Sequence, residues 1–308
     1  MFSKNITEAD GTELNVEGEN YYFIKFFESF KNTDRDIFEQ THFIVHRAHG
    51  GAQKAPLVRI NHSFKKKVLI LISDEREHYS LEGFEEVDLI FRSYSGKKNN
   101  DPRIRPFPVP YMNAVANTNP KPFESREVNV FFSGYLNRNR VDLYKQFCPQ
   151  WWLPKKNIAG KYAKEAARRA VEKFCRERNF DRAIKGGKIA FTEWFGKGLP
   201  PMAYAETLAN TKIAICPPGF VSHETIRHSE AMKMGCIIIT APLPETFFYS
   251  GSPMITIHDW SDLRTTLNNL LSNPDRMLEL HHNTREWWHK HSSEEAIAAY
   301  VAKHISKF

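Results

Sequence analysis

The sequence predicts an α/β protein built from two units with parallel sheets, and three observations carry that prediction. The first is a set of apolar runs without polar alternation: KKVLILISDE at 66–75, REVNVFFSG at 126–134, TKIAICPPG at 211–219 and MGCIIITAP at 234–242. Strands buried on both faces read this way. The second is the helical patterning between such runs, which implies crossover connections and parallel pairing. The third is the proline-rich stretch DPRIRPFPVPYMNAVANTNPKPFES at 101–125. Proline at that density excludes helix and central strand, so the stretch reads as an extended linker between the units.

The remaining elements follow in order. Residues 1–18 are polar and read as a frayed start, and YYFIKFFESF (21–30) carries an aromatic face at helical spacing. HFIVHRAHGG (42–51) reads as a strand closed by a glycine turn, and VDLIFRSY (87–94) as another strand after a short polar helix. Beyond the prolines, RNRVDLYKQF (138–147) and the basic span 155–188 read as helix, and SPMITI (252–257) as strand. The segment 259–291 is helical with a break near Pro274. SSEEAIAAYVAKHISKF is a last amphipathic helix capped by Ser292 or Ser293.

A chain of 308 residues with 41% hydrophobic and 26% charged residues suits two globular domains. Its net charge of +7 favours anionic partners: nucleic acid, phosphorylated small molecules or a membrane surface. Cys148, Cys175, Cys216 and Cys236 are widely spaced, with no CxxC pair, and Cys216 and Cys236 lie in apolar runs. That pattern reads as buried free thiols in a reducing, cytoplasmic location and argues against zinc. No signal peptide is visible, and no apolar run approaches the ~20 residues that span a bilayer.

Chemistry concentrates in AICPPGFVSHETIRHSEAMKMGCIIITAPLP, 214–244. Ligands of open α/β sheets bind beyond the carboxyl ends of strands. Gly219 ends one such strand and lets a ligand approach the backbone. A helix starting near Thr225 offers free N–H groups to an anion, and Arg227 in its first turn adds a charge-assisted contact. Glu230, three residues on, is placed to accept ribose hydroxyls. Arg227 and Glu230 equally describe a surface ion pair worth ~0.3 kcal/mol, and His223 and His228 equally describe exposed loop residues.

The run resembles the nucleotide-sugar signature of exostosin-like (family 47-type) glycosyltransferases, in which a P-x-G turn precedes R-x-x-E-A-x-x-x-G-C-I-P-V-I. Here the matching residues are Pro218-Gly219, Arg227 through Glu230-Ala231, and Gly235-Cys236-Ile237-Ile238-Ile239. VFFSG followed by Arg140, Tyr204 with LANTKIAICP, PLPETFFY and the DWSDL…LL segment from Asp259 resemble further family segments, so the likeness runs over roughly 128–275. Ile238 replaces the usual proline, and the loop from Gly219 to Arg227 is longer, which makes Ser222, His223 and Thr225 the expected seat of donor selectivity.

The resemblance implies a GT-B fold: two Rossmann-like domains facing across a cleft, with a final helix returning to the first. On that basis residues 1–125 form the acceptor side, 126–290 the donor side and 291–308 the returning helix. It implies inverting transfer from a nucleotide sugar, most often a UDP-sugar, to a glycan hydroxyl, with no cofactor and no essential metal. Diphosphate would then be held by Arg227, the helix N-terminus, Arg138, Arg140 or Lys188, with Gly134 giving it room beside the backbone. The base that deprotonates the acceptor is expected at a strand end of the first domain. Asp74 fits, with Glu75, His46 and His49 as alternatives, although Asp74 also reads as a helix cap.

Three rival readings have a residue-level basis. Asp34-Arg35-Asp36 has the letters of a metal-binding D-x-D pair but follows a helical segment, where a cap is the simpler reading. Basic and aromatic residues mingle at 151–180, yet mixed charge there means a solvated face and no nucleic-acid motif appears, leaving anionic lipid or glycan as what the basic surface would meet. A non-catalytic carbohydrate-binding relative is the third. His281, His282, His289 and His291 lack companion carboxylates and read as a packed helix.

Overall fold

The computed structural model describes residues 3–14, 20–48, 58–94, 101–148, 165–166, 169–170, 179–193 and 196–308. The chain forms two compact units: one from residues 1–116, 244–250 and 288–308, the other from 117–243 and 251–287. Among the described residues no helix is long and apolar enough to cross a membrane.

The first unit holds a parallel sheet of β1 (Ile6–Glu8), β2 (Thr41–Arg47), β3 (Lys66–Ile72), β4 (Leu89–Arg92) and β5 (Ile104–Pro106), laid side by side in chain order. Residues 68–72 of β3 are all buried, as the unbroken apolar run predicts. Helix α1 (Asn20–Thr33) buries Tyr22, Phe23, Phe26, Phe27 and Phe30, a spacing of one and three residues that keeps one face of a helix apolar. Phe27 and Phe30 each stand edge-on to Phe43 of β2, with centroids 5.2 Å apart. Edge-on pairs of this kind contribute about 0.5–1.5 kcal/mol beyond their buried area. The short α2 (Arg35–Gln40) is capped by Asp34, whose carboxylate accepts the Ile37 N–H at 3.0 Å. Capping is therefore the use the structure makes of the D-x-D letters.

Helix α9 (Glu294–Ile305) belongs to this first unit although it closes the sequence, and it packs on α1. Ser293 caps it through the Ala296 N–H, and the Tyr111 hydroxyl donates to the Glu294 carboxylate in a buried contact.

Several sequence expectations are corrected here. The polar start contains β1, whose Ile6 is buried against β2. No helix joins β3 to β4: residues 73–88 are turns, and Ser73, Glu77 and Gly83 take positive φ, which an α-helix forbids. The proline stretch is more than linker, since it supplies edge strand β5, the four-residue α3 (Asn113–Ala116), and buried Phe107, Val109 and Tyr111. Edge placement is where a strand tolerates Pro106.

The second unit holds β6 (Val128–Tyr135), β7 (Gly187–Thr192), β8 (Thr211–Cys216), β9 (Ile237–Thr240) and β10 (Ile255–Thr256), all parallel, in the order β10-β9-β8-β6-β7. Helices α4 (Val141–Phe147), α5 (Pro201–Ala209), α6 (Ile226–Lys233), α7 (Leu263–Leu271) and α8 (Pro274–Trp287) accompany it. The sequence reading ran its basic helix to residue 188, into the start of β7, and passed over the rest of β7 and α5. Most of the basic segment 149–178 lies outside the described residues, as do Cys175 and His49.

Arg126 secures the lower end of this sheet. It is 3% exposed and donates to the carbonyls of Lys121 (3.0 Å), Thr211 (2.7 Å) and Met234 (2.7 Å), joining the start of β8 to the end of α6. Two successive Rossmann-like parallel units are the architecture that the sequence predicts.

Candidate functional site

The strand orders place the site. In the first unit each new strand adds to the same edge, so the sheet never reverses direction. In the second, β7 flanks β6 on one side and β8 on the other, so the order reverses between β6 and β8. Helices leave toward opposite faces at such a switch point, opening a crevice beyond the carboxyl ends where ligands bind. Those ends are Ser133-Gly134-Tyr135 on β6 and Cys216-Pro217-Pro218-Gly219 on β8, the residues singled out in the sequence.

Two guanidinium groups occupy the crevice. Arg227 donates to the Ser133 carbonyl through Nη2 at 2.8 Å and Nε at 3.3 Å. Arg140, 5% exposed, donates to the Pro218 carbonyl at 2.8 Å and the Tyr135 carbonyl at 2.9 Å, stitching the two strand ends together. Both lie over the Phe132 ring, at 5.7 and 5.9 Å from its centroid. Gly134 makes the pairing possible. A Cβ there would stand 2.4 Å from Arg227 Nη2 and 3.1 Å from Arg140 Nη1. The space the sequence reading kept for diphosphate beside Gly134 is filled by the arginines that would hold it.

The loop from β8 to α6 is built by short-range bonds. The Gly219 N–H donates to Ser222 O at 2.8 Å, the Glu224 N–H to Ser222 Oγ at 3.0 Å, and Asn139 Nδ2 to Gly219 O and Phe220 O at 3.1 and 2.7 Å. Ser222 thus shapes the loop that presents Phe220 and Val221 to solvent. Thr225 is the N-cap of α6, and its N–H donates to His228 Nδ1 at 3.1 Å, so histidine takes the place that glutamate holds in the usual capping box. At the far end Gly235, with φ of 63°, closes a Schellman motif: its N–H bonds Met232 O and the Cys236 N–H bonds Ala231 O, both at 2.9 Å. No side chain fits there, because a Cβ would stand 2.6 Å from Arg285.

His228 is fully buried, which corrects the exposed-loop reading. Its Nδ1 accepts the Thr225 N–H, so its Nε2 donates to Thr240 Oγ1 at 2.8 Å, and that hydroxyl donates onward to Ala241 O at 3.0 Å. Burial lowers its pKa to about 4 from 6.5. The unfolded chain therefore takes up the proton first as pH falls. Stability is expected to be complete above pH ~6.5, to drop by about 3 kcal/mol toward pH 4, and to level off below. Urea unfolding at pH 7 and 4.5 measures this, and His228→Gln should flatten that part of the profile.

Other expected residues stand elsewhere. Glu230 is 2% exposed, and its carboxylate bonds the buried Tyr204 hydroxyl, whose pKa is raised by burial first and by Glu230 second. Arg138 is exposed and pairs with Glu165 at 3.2 Å. Lys188 is exposed, near the amino end of β7 and opposite Phe131, far along the strand from the carboxyl edge.

In the first unit, Asp74 is 7% exposed, forms an ion pair with buried Arg92, and accepts the N–H groups of His78 (3.2 Å) and Tyr79 (3.1 Å). Glu75 is half-buried beside it. His46 is half-buried against Tyr79 and Phe84, with centroids 4.9 and 6.1 Å away. His281 bonds Gly235 O at 2.6 Å and stacks on Phe123. Among the described residues no three His, Cys, Asp or Glu side chains gather in a way that would hold a metal. Cys148, Cys216 and Cys236 are buried free thiols, and burial raises the Cys236 pKa to about 11.

Beside the arginines, the carboxyl ends of β8, β9 and β10 enclose a pocket of about 350 Å³. Asn139, Pro218, His223, Pro242, Asp259 and Trp260 are among its walls. Asp259 and Trp260 open the DWSDL segment of the family likeness, but they stand about twenty residues beyond Ile239, and nothing in that spacing announces a shared pocket.

Fold and site together define a two-unit α/β protein with a cationic crevice at the switch point of its second sheet. No protein-family profile matches the sequence, and no curated protein does. Among solved structures, the chain is similar to TarM (TM-score 0.48, 12% identity, over 92% of this chain and 58% of that one). It is also similar to sucrose-phosphate synthase from Thermosynechococcus elongatus (TM-score 0.46, 13% identity, over 96% and 80%). The chain thus spans somewhat over half the length of the TarM chain.

Proposed function

We propose that this protein is a GT-B glycosyltransferase that moves a sugar from a nucleoside diphosphate sugar to a hydroxyl of a glycan. The observation that carries the reading is the convergence of Arg140 and Arg227 on the backbone of Gly134, at the one switch point of the two sheets. Two adjacent guanidinium groups match the charge and the oxygen geometry of a diphosphate leaving group. The exostosin-like spacing of Arg227 and Glu230 adds the expectation of a UDP-sugar, inversion at the anomeric carbon and no required metal.

On this reading Arg227 and the N-terminus of α6 stabilise the departing diphosphate, and Arg140 holds the two strand ends in place around it. Ser222 and Thr225 shape and cap the approach. Glu230 positions the helix through Tyr204. The acceptor base is left unassigned, because the lone pairs of Asp74 are engaged by Arg92 and two backbone N–H groups.

The test is calorimetry with UDP, GDP, ADP and their sugars, followed by product analysis with a glycan library in chelator. Binding of a nucleoside diphosphate and transfer to a hydroxyl support the proposal. Failure of every nucleotide to bind would overturn it.

A further inference from the structure

We propose that the pocket at the ends of β8, β9 and β10 takes the nucleoside of the donor, with Asp259 accepting hydrogen bonds from the ribose hydroxyls. This inference rests on the nucleoside diphosphate reading above and adds a residue and a subsite to it.

Position comes first. Pro218 lines the pocket while its carbonyl accepts Arg140 Nε at 2.8 Å, and Asn139, another lining residue, immediately precedes Arg140. Pocket and cationic crevice therefore share a wall, as the two halves of one nucleotide require. A volume of about 350 Å³ falls within the ~300–1,000 Å³ of small-molecule sites. Pro218, Pro242, Ile257 and Trp260 give it flat apolar walls for a base.

Polarity comes second. Asn139 commits its Nδ2 to Gly219 O and Phe220 O, which leaves Oδ1 as its remaining side-chain valence. His223 donates from Nδ1 to Pro242 O at 2.6 Å, which leaves Nε2 as its other ring nitrogen. Asp259, an exposed lining residue, accepts the Ser261 N–H at 2.9 Å through one of its two carboxylate oxygens. Asn139 Oδ1 and the second Asp259 carboxylate oxygen are acceptors, beside the donor-bearing Trp260 and His258, so a ligand with O–H and N–H groups matches the former pair. A ribose diol beside a base supplies both. Glu230, the carboxylate the signature suggests for the ribose, is buried against Tyr204 and is not part of this pocket.

The test is calorimetry on the full chain with inorganic pyrophosphate, UDP, GDP and the 2′,3′-dideoxy forms of both nucleotides. Hydrogen bonds to a charged group predict that the tighter of UDP and GDP binds roughly 10-fold or more tightly than its dideoxy form. Asp259→Asn should remove that difference while leaving pyrophosphate affinity unchanged. Asparagine caps Ser261 as aspartate does, so the fold persists. An unchanged ribose preference in Asp259→Asn, or its loss in Glu230→Gln instead, would overturn the assignment and leave the glycosyltransferase reading intact. Binding of neither pyrophosphate nor any nucleoside diphosphate would overturn both.

Discussion

Arg227→Ala is expected to weaken nucleoside diphosphate binding about 100-fold while leaving the melting temperature nearly unchanged. A guanidinium on a phosphate makes two charge-assisted hydrogen bonds at once, and removing one side of such a pair costs about 2–5 kcal/mol of affinity. Arg227→Lys keeps the charge but loses the planar fork, so an intermediate loss is expected. Gly134→Ala reaches the same arginine from the other side. Its new methyl would occupy the place of Nη2, forcing the guanidinium off the Ser133 carbonyl. Because the group displaced is the far end of a flexible side chain, the fold should tolerate it and affinity should fall roughly 10-fold. Calorimetry with the tightest nucleotide reads both effects. Unchanged affinity in both variants would move the anion site away from β6.

The second large effect is on stability. Asp74→Ala and Arg92→Ala should each cost about 3–5 kcal/mol, measured by urea unfolding, since each leaves one buried charge without its partner. The pair is 7% and 4% exposed and joins the residues just beyond β3 and at the end of β4. Asp74→Asn combined with Arg92→Leu removes both charges and keeps an acceptor for one of the His78 and Tyr79 N–H groups, which bond different oxygens, so it should recover part of the loss. A different result would reassign the residue: Asp74→Asn with native stability and no turnover would make the carboxylate a chemical group.

Asp74 also shows where sequence reading reaches its limit. Its place at the end of an apolar strand is readable from KKVLILISDE, and that place suits a base. Its partner Arg92 stands eighteen residues on, in another strand, and nothing in the spacing announces the meeting. The same limit separates the strands. β3, β6, β8 and β9 are legible because neighbours bury both their faces and the runs are apolar throughout. β1 and β7 are edge strands, short and interrupted by polar residues, and only pairing with β2 and β6 makes them strands.

In the site, the residues that the spacing linked do meet: Gly134, Arg140, Pro218 and Arg227 converge within one crevice. What spacing does not carry is direction. Glu230 turns inward to Tyr204, Lys188 lies toward the wrong end of its strand, and His228 is a neutral internal strut.

The first unit is assembled from three separate stretches of chain, and this has a bearing on biosynthesis. At about 5–20 residues per second, roughly 10–40 s of translation separate Ala116 from the end of α9 at Ile305. Throughout that interval α1, with five buried aromatic side chains, lacks the helix that packs on it. The second unit draws on a nearly continuous span and can close earlier. The part of α1 that meets α9 therefore stays open in the nascent chain through that interval, while Phe27 and Phe30 already have Phe43 of β2 to pack against.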